Sequence, residues 1–508
     1  MPCYNEEKTE GMPVQPTLSQ TLFHRSFLTR RDKLAFFSTF GLGMLVHLYA
    51  FTRQLMAATD AYANFISEND VTTSGRWLLG LASSLSPDLT VPWLLGVLAL
   101  LMLSCAAVPI VRGLDIRHTG FVVLTALLLV SYPALMATYR YLYTADAYMI
   151  AVLLSVLAFY VTDRYRFGFA GGMALLACSL GIYQAYLPLC IGLMTIRALT
   201  LLLRGESAAK ELVWKALRYV ATVAGGLLLY WIITKLALRL TGQTMTAYQG
   251  LDQMGRLSVG ELGERIVECY RQGWRLLRSF GGWLDFPLLL LTGLECGYLL
   301  LTRGPRPKAQ IVAVVVLLAA SPVLFGTVYL MGAAVVYRHM QYSYVAAYLL
   351  PIALMEEILS RPLPAQRLRK GLLRAACVAL VVLLAITGGQ YAVYDNYEYA
   401  EYELITIRTY AQCLDVKQKV ESCEGYAFGM PVMIDVQQFT TFMVENSQYQ
   451  IFMKHFVHTN WPAPTGEQWE RVQANPAYAT LTSYPEPGCV KVIDGVAVLR
   501  MDFPGLAD

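Results

Sequence analysis

Apolar residues along the chain fall in blocks of about 20, the length a helix needs to cross a bilayer core of ~30 Å, and polar residues collect between the blocks. Windows of about 19 residues predict eleven spans, near 34–51, 91–111, 119–139, 147–162, 168–183, 187–203, 219–238, 284–302, 310–331, 342–358 and 375–392. Region 168–203 is apolar for about two membrane thicknesses. In its middle, Gly181-Ile182-Tyr183-Gln184-Ala185-Tyr186-Leu187-Pro188 supplies the polar residue and the proline at which the chain turns. The first 24 residues are polar and lack an apolar signal core, so 34–51 reads as a retained first span.

Three pieces are too long to be simple connectors: 52–90, 239–283 and 393–508. Within 239–283, Ser258 and Glu261 form a capping-box pattern. The helix it opens carries Leu262, Ile266, Cys269, Tyr270 and Trp274 at helical spacing, with Arg271, Arg275 and Arg278 on another side. This pattern predicts an amphipathic helix in the membrane interface, an anchor whose arginines could also attract an anionic headgroup. In the tail, Tyr391–Cys413 reads as a tyrosine-rich helix. Two β-branched runs joined by Asp494-Gly495 read as a hairpin.

Composition sharpens this picture. The 508 residues are 56% hydrophobic and 15% charged, against roughly a quarter charged in soluble domains, which excludes an ordinary soluble enzyme. The formal net charge is +4, but region 393–508 holds seven basic and fifteen acidic residues, which leaves the rest strongly basic. One set of connections holds Arg25, Arg30, Arg31 and Lys33; Arg112 and Arg117; Arg164 and Arg166; Arg204, Lys210, Lys215 and Arg218; Arg303, Arg306 and Lys308; and Arg361, Arg367, Arg369 and Lys370. The alternate short ones hold little beyond Arg140 and Arg338. By the positive-inside bias, residues 1–33 are a cytoplasmic tail and 34–392 a transmembrane domain with outward loops 52–90 and 239–283. Residues 393–508 are then a small extracytoplasmic α/β domain. Three of the ten cysteines, Cys413, Cys423 and Cys489, fall in that domain, where a disulfide is permitted. No metal-ligand spacing is present, and isolated outward carboxylates do not define a cation site.

The candidate chemistry lies at the outward loop bases. Asp60 follows the first span, then Glu68, Asp70 and Ser74-Gly75-Arg76-Trp77. A short turn holds Tyr139-Arg140-Tyr141-Leu142-Tyr143-Thr144-Ala145-Asp146, and another Tyr337-Arg338-His339. Each residue alone could be an interfacial anchor or a helix cap. Together they suit group transfer from an anionic lipid donor: a carboxylate accepts a proton from the attacking hydroxyl, guanidinium groups hold and stabilise a departing phosphate, and tyrosines stack on sugars. No nucleophile-elbow, Walker, zincin or dinucleotide motif occurs, and the glycine pairs 171–172 and 225–226 lie within spans, where glycine mostly aids helix packing.

These residues carry a resemblance. Ser74-Gly75-Arg76-Trp77-Leu78-Leu79, Val91-Pro92-Trp93, Tyr143-Thr144-Ala145-Asp146-Ala147-Tyr148-Met149 and Ser179-Leu180-Gly181-Ile182-Tyr183-Gln184-Ala185-Tyr186 are similar to the bacterial membrane glucosyltransferases of the O-antigen serotype-conversion type. Glu424-Gly425-Tyr426, Gly429-Met430-Pro431-Val432 and the run Tyr484–Gly495 resemble the tail of Firmicute members. The resemblance implies a GT-C type fold. It implies inverting transfer of a hexose, typically glucose, from a polyprenyl-phosphate donor to a surface glycan outside the cytoplasmic membrane, with a separate donor synthase and a flippase as functional partners. It places the essential acid at Asp60, where Thr59-Asp60 stands in place of the His-Asp or Asp-Asp pair of many members. Glu68-Asn69-Asp70 looks like the acidic E-x-D motif of other GT-C enzymes. The expected roles are then Asp60 as base and Asp146 as orienting acid; Arg76, Arg140, Arg338 and His339 on the donor phosphate; Tyr183, Gln184, Glu68 and Asp70 on sugar or acceptor. No protein metal ligands are assigned, and a divalent cation is a possible cofactor. A lipid-linked sugar flippase and a non-catalytic envelope scaffold are the alternatives; a nucleic-acid partner is not expected.

Overall fold

The computed structural model describes residues 28–53, 55, 71–85, 91–205, 209–246, 258–279, 284–302, 307–331, 335–360, 367–438 and 446–502. Asp60, Glu68 and Asp70 lie outside the described residues. The helices are α1 (Arg30–Thr52), α2 (Pro92–Gly113), α3 (Thr119–Ser131), α4 (Pro133–Tyr139), α5 (Ala145–Arg164), α6 (Gly168–Ile182), α7 (Leu187–Arg204), α8 (Ala209–Thr241), α9 (Val259–Ser279), α10 (Asp285–Thr302), α11 (Lys308–Phe325), α12 (Val345–Leu359) and α13 (Arg367–Glu421). A smaller unit follows with β1 (Val432–Gln438), α14 (Asn446–Val457), α15 (Gly466–Ala474), β2 (Val490–Ile493) and β3 (Val496–Asp502).

Among the described residues nine helical segments are long and apolar enough to cross a membrane. The pair α3–α4, bent by 45° at Pro133, makes a tenth, because proline cannot donate the hydrogen bond that would carry the helix through. The remaining predicted span, α6, is helical over 15 residues only, about 23 Å. Its end therefore sits inside the bundle. Tyr183 leaves the helix in extended backbone (φ −156°) and a buried 3-10 turn, Gln184–Tyr186, leads into α7. α6 and α8 approach closely at Gly225 and Gly226, where added Cβ atoms would meet Met173 and Leu176. The chain is a polytopic helical membrane protein with a small sheet unit at its C-terminal end.

The helix ends away from that unit are tied by paired charges. α1 starts on a Thr29–Asp32 capping box, and Asp32 also meets Arg112 at 2.7 Å. Glu356 accepts from the backbone N–H groups of Arg117 and His118 (2.8 and 2.7 Å), and Glu357 pairs with Arg204 (2.7 Å). Asp115 sits among Arg197 (3.2 Å), Arg204 (3.7 Å) and Arg117 (3.8 Å). Much of the basic surplus in these connections is thus matched by acids on neighbouring helix ends.

α9 starts on the expected capping box, with Glu261 N donating to Ser258 Oγ (3.3 Å) and Ser258 N to a Glu261 carboxylate oxygen (2.7 Å). Leu262, Ile266, Tyr270 and Trp274 stay substantially exposed while Cys269 is buried, as an interface-lying helix requires. Its arginines are less available to lipid than the sequence suggests, because Glu268 pairs with both Arg271 and Arg275. The Arg278 side chain lies outside the described set.

α13 is one helix of 55 residues, about 80 Å long. It passes unbroken from the last span into the polar tail. The sheet has order β1-β3-β2, with β1 parallel and β2 antiparallel to β3. Asp494 and Gly495, both at positive φ, make the predicted β2–β3 turn. Val416 and Val420 of α13 pack with Val432, Ile434, Phe452 and Leu499, so the end of the long helix is part of this unit's core. Among the described residues, no disulfide joins Cys413, Cys423 and Cys489.

Candidate functional site: arginines seated on tyrosine rings

The Ser-Gly-Arg-Trp segment is pinned over the recessed end of α6. Leu78 N donates to Gly181 O (2.8 Å). Gln184 Nε2 donates to Ser74 O and to Tyr230 Oη, both at 2.9 Å. Gly75 has φ +75°, a conformation costly for side-chain-bearing residues, and a Cβ there would collide with Tyr230 Oη. Gly181 leaves room for the Trp77 indole, which an added Cβ would approach to 2.5 Å. The two glycines and the tryptophan thereby deliver Arg76, whose Cζ lies 4.8 Å from the centroid of the Tyr183 ring.

Tyr183 is the hub of an aromatic stack. It lies parallel to Tyr148 (4.4 Å between centroids, 13°) and to His339 (6.0 Å, 22°). His339 is followed by Tyr337 (5.9 Å, 8°), with Tyr141 tilted beside it at 4.9 Å. Both Arg76 and Arg140 are within electrostatic reach of His339. As a guanidinium, Arg76 stays ionised in its half-buried setting, and the Tyr183 ring turns its electron-rich face to it. Its Nε is buried with no protein acceptor.

The other two arginines are seated alike on α13. Arg140 lies over Tyr402 (4.6 Å) and Arg338 over Tyr394 (5.5 Å), with Arg338 Nη1 also donating to Tyr394 Oη (2.6 Å). Tyr394 and Tyr402 both donate to Glu398 (2.7 and 3.3 Å). Arg76 gives its flat face to the ring, and its buried Nε–H has no protein acceptor. Arg76, Arg140, Arg338, His339, Tyr183 and Gln184 are therefore brought into one cluster. Asp146 is placed differently: it is buried in the first turn of α5, and its Oδ1 accepts the N–H of Ala147 at 2.8 Å, where a helix N-terminus favours negative charge. Among the described residues no group of three His, Cys, Asp or Glu side chains could hold a metal.

Sequence reasoning passed over two buried carboxylates. Asp395 on α13 is fully buried with neither oxygen partnered, within electrostatic reach of Arg338 and Glu398. Asp285, at the start of α10, accepts from Tyr348 Oη (3.2 Å) on one oxygen, and its other oxygen is buried and unpartnered. Acids at the edge of apolar blocks were the available signal. Tyr394, Glu398 and Tyr402, at intervals of four in the tyrosine-rich run, were also legible as one helix face.

Fold and site together define a multi-pass membrane protein with a cationic, aromatic cluster at the end of its bundle nearest the sheet unit. The family model for Glucosyl transferase GtrII matches residues 49–355, more than half of the chain, and the chain belongs to that family of glucosyltransferases. The match spans the three seated arginines, His339, Asp146 and the Tyr183-Gln184 turn; Tyr394, Glu398 and Tyr402 lie beyond it. No curated protein and no solved structure matches the chain.

Proposed function

We propose that this glucosyltransferase takes a hexose, glucose, from a polyprenyl-phosphate donor and transfers it with inversion to a surface glycan outside the cytoplasmic membrane. The observation that carries the reading is the trio of guanidinium groups, each seated on a tyrosine ring: Arg76 and Arg140 are within reach of His339, and Arg140 and Arg338 are within reach of Tyr402. Such a trio suits a monoanionic or dianionic phosphate at the mouth of a membrane bundle. In this mechanism Asp60 accepts the proton of the acceptor hydroxyl as its oxygen attacks the anomeric carbon. The bond from that carbon to the phosphate oxygen breaks on the opposite face. Arg76, Arg140 and Arg338, with His339 beside them, stabilise the lipid phosphate as it leaves. Tyr183 and Gln184 serve the sugar, Asp146 orients the acceptor or an arginine, and Glu68 and Asp70 are assigned to sugar or acceptor binding. A donor synthase and a flippase supply the substrate.

The test is incorporation of labelled glucose from polyprenyl-phosphate-glucose into surface polymer by membranes with and without this protein. Incorporation that depends on the protein and is lost in Asp60→Asn, at unchanged protein level, is the expected outcome. Protein-dependent transfer that survives Asp60→Asn removes Asp60 as the base and promotes Asp70. No protein-dependent transfer removes the donor assignment.

A further inference from the structure

α8 and α11 both pack on α7, and between them lies a groove with a volume of about 620 Å³. Small side chains keep it open: Ala198 is on the α7 floor, Ala216 and Ala224 on the α8 wall and Ala313 on the α11 wall. Ala216, Val220 and Ala224 are exposed, so the groove opens on the apolar outer surface of two membrane-crossing helices. Along α8 it runs from Leu212 to Leu227, about 22 Å, more than half of a hydrocarbon core of ~30 Å. The floor offers nothing to a polar ligand, because Thr195 keeps its hydroxyl on Ile191 O (2.8 Å).

The two ends of the groove differ. At the end of the bundle that carries the basic connections, Lys215 and Tyr219 line it, and both meet Asp163, Lys215 Nζ at 2.7 Å and Tyr219 Oη donating at 2.5 Å. Arg197 approaches the same carboxylate (3.5 Å), and Arg218 is within electrostatic reach of Lys215. Arg197 also reaches Asp115, which Arg117 and Arg204 share, and Arg204 meets Glu357. In this network Lys215, Arg197, Arg218, Arg117 and Arg204 outnumber Asp163, Asp115 and Glu357, so the rim is cationic. Trp214, beside Lys215 and 59% exposed, marks the headgroup level, where indoles collect. The far end is closed: the lining stops at Ile191 and Leu227, and about one turn beyond, buried Tyr230 accepts from Gln184 (2.9 Å). None of the seated arginines lines the groove.

A long apolar groove with a cationic rim at one membrane face suits a hydrocarbon chain that carries an anionic head. A donor whose phosphate lies on Arg76 has its charge at the other end of the bundle, so the polarity of the groove selects a lipid of the leaflet at the basic end. We infer that the groove holds one acyl chain of an anionic glycerophospholipid, with the headgroup phosphate at Lys215. Bulk lipid is equally apolar, so retention comes from packing in the groove and from the head charge. The chain fills the space between α7, α8 and α11 and braces α8, whose Tyr230 backs the Gly75 turn that delivers Arg76.

This inference is independent of the donor assignment, and its test does not use transfer. Native mass spectrometry of the full-length protein, delipidated in detergent and titrated with phosphatidylglycerol, should show one saturable adduct. Phosphatidylcholine with the same chains should bind about fivefold more weakly, the effect of one basic contact to an anionic head. Ala198→Phe and Ala224→Trp fill the groove from its floor and wall, and each should weaken the phosphatidylglycerol adduct about tenfold, the effect of displacing two methylenes. Lys215→Gln should remove the preference for phosphatidylglycerol. Ala224 is exposed, so Ala224→Trp decides the matter if Ala198→Phe or Lys215→Gln fails to fold. No saturable adduct in the parent protein, or an adduct unchanged in Ala224→Trp, overturns the site. Equal binding of the two phospholipids overturns the headgroup assignment. Displacement of phosphatidylglycerol by polyprenyl phosphate would give the groove to the donor chain and overturn the phospholipid assignment.

Discussion

At the scale of single residues, Arg76 is the most constrained group of the cluster: it is seated by a tight glycine turn, stacked on Tyr183 and left with an unpartnered Nε. Arg76→Lys keeps the charge but loses the planar fork and the ring stacking. The expected result is a 10²–10³-fold fall in transfer rate, the usual cost of one preorganised donor at a departing oxyanion, measured with labelled donor at matched protein levels. Tyr183→Phe should stay within a few-fold of the parent enzyme, since the Tyr183 hydroxyl has no protein partner and the ring does the seating. A large loss in Tyr183→Phe would mean that the hydroxyl itself meets substrate. The Arg76 and Tyr183 positions were legible in the sequence because polar side chains at the edge of apolar blocks are scarce. Their meeting was not, since it depends on Gln184 reaching Ser74 across 110 residues. Asp285 and Asp395 were missed for the same reason. One looked like a span boundary and the other lay beyond the last predicted span, and only packing shows that both are buried.

At the scale of elements, the spans were legible from hydropathy because a bilayer imposes one length on every crossing. Hydropathy fails where a helix outlives its apolar stretch, as α13 does: the tail was expected to begin at 393, and the helix continues to Glu421. The elements are also tied at the opposite end, where Asp115, in the α2–α3 connection, meets Arg197 and Arg204 of α7. Burial works against its charge, yet Arg197, Arg117 and Arg204 hold its pKa below the usual carboxylate value. Because the folded value is depressed, the stabilisation is fully present above the unfolded pKa of about 4. It is lost as pH falls through the folded value. Asp115 sits at φ +57°, which asparagine also tolerates, so Asp115→Asn removes charge without disturbing the turn. Thermal melts should show a loss of about 1 kcal/mol at pH 7 that is smaller at pH 3, below the unfolded pKa. An equal loss at both values would assign the effect to packing.

At the scale of the whole molecule, the sorting of charge makes a claim about sidedness that can be read directly. Exposed Ser422 lies at the far end of α13, and Arg117 lies in a basic connection at the opposite end of the bundle. In intact cells, Ser422→Cys should react with a membrane-impermeant maleimide, while Arg117→Cys should react only after permeabilisation. The reverse pattern would invert the orientation and, with it, the side on which transfer occurs. The architecture also has a metric consequence. The polar stretch of α13 from residue 393 to Cys413, where the sheet unit's core begins, is about 30 Å of unbroken helix. A rigid rod of that length works as a ruler. Whatever the sheet unit touches is held at a fixed distance along this rod from Tyr394 and Tyr402, the seats of Arg338 and Arg140, so a partner that engages both ends would be measured by its contour and reached only where it is long enough to span the gap.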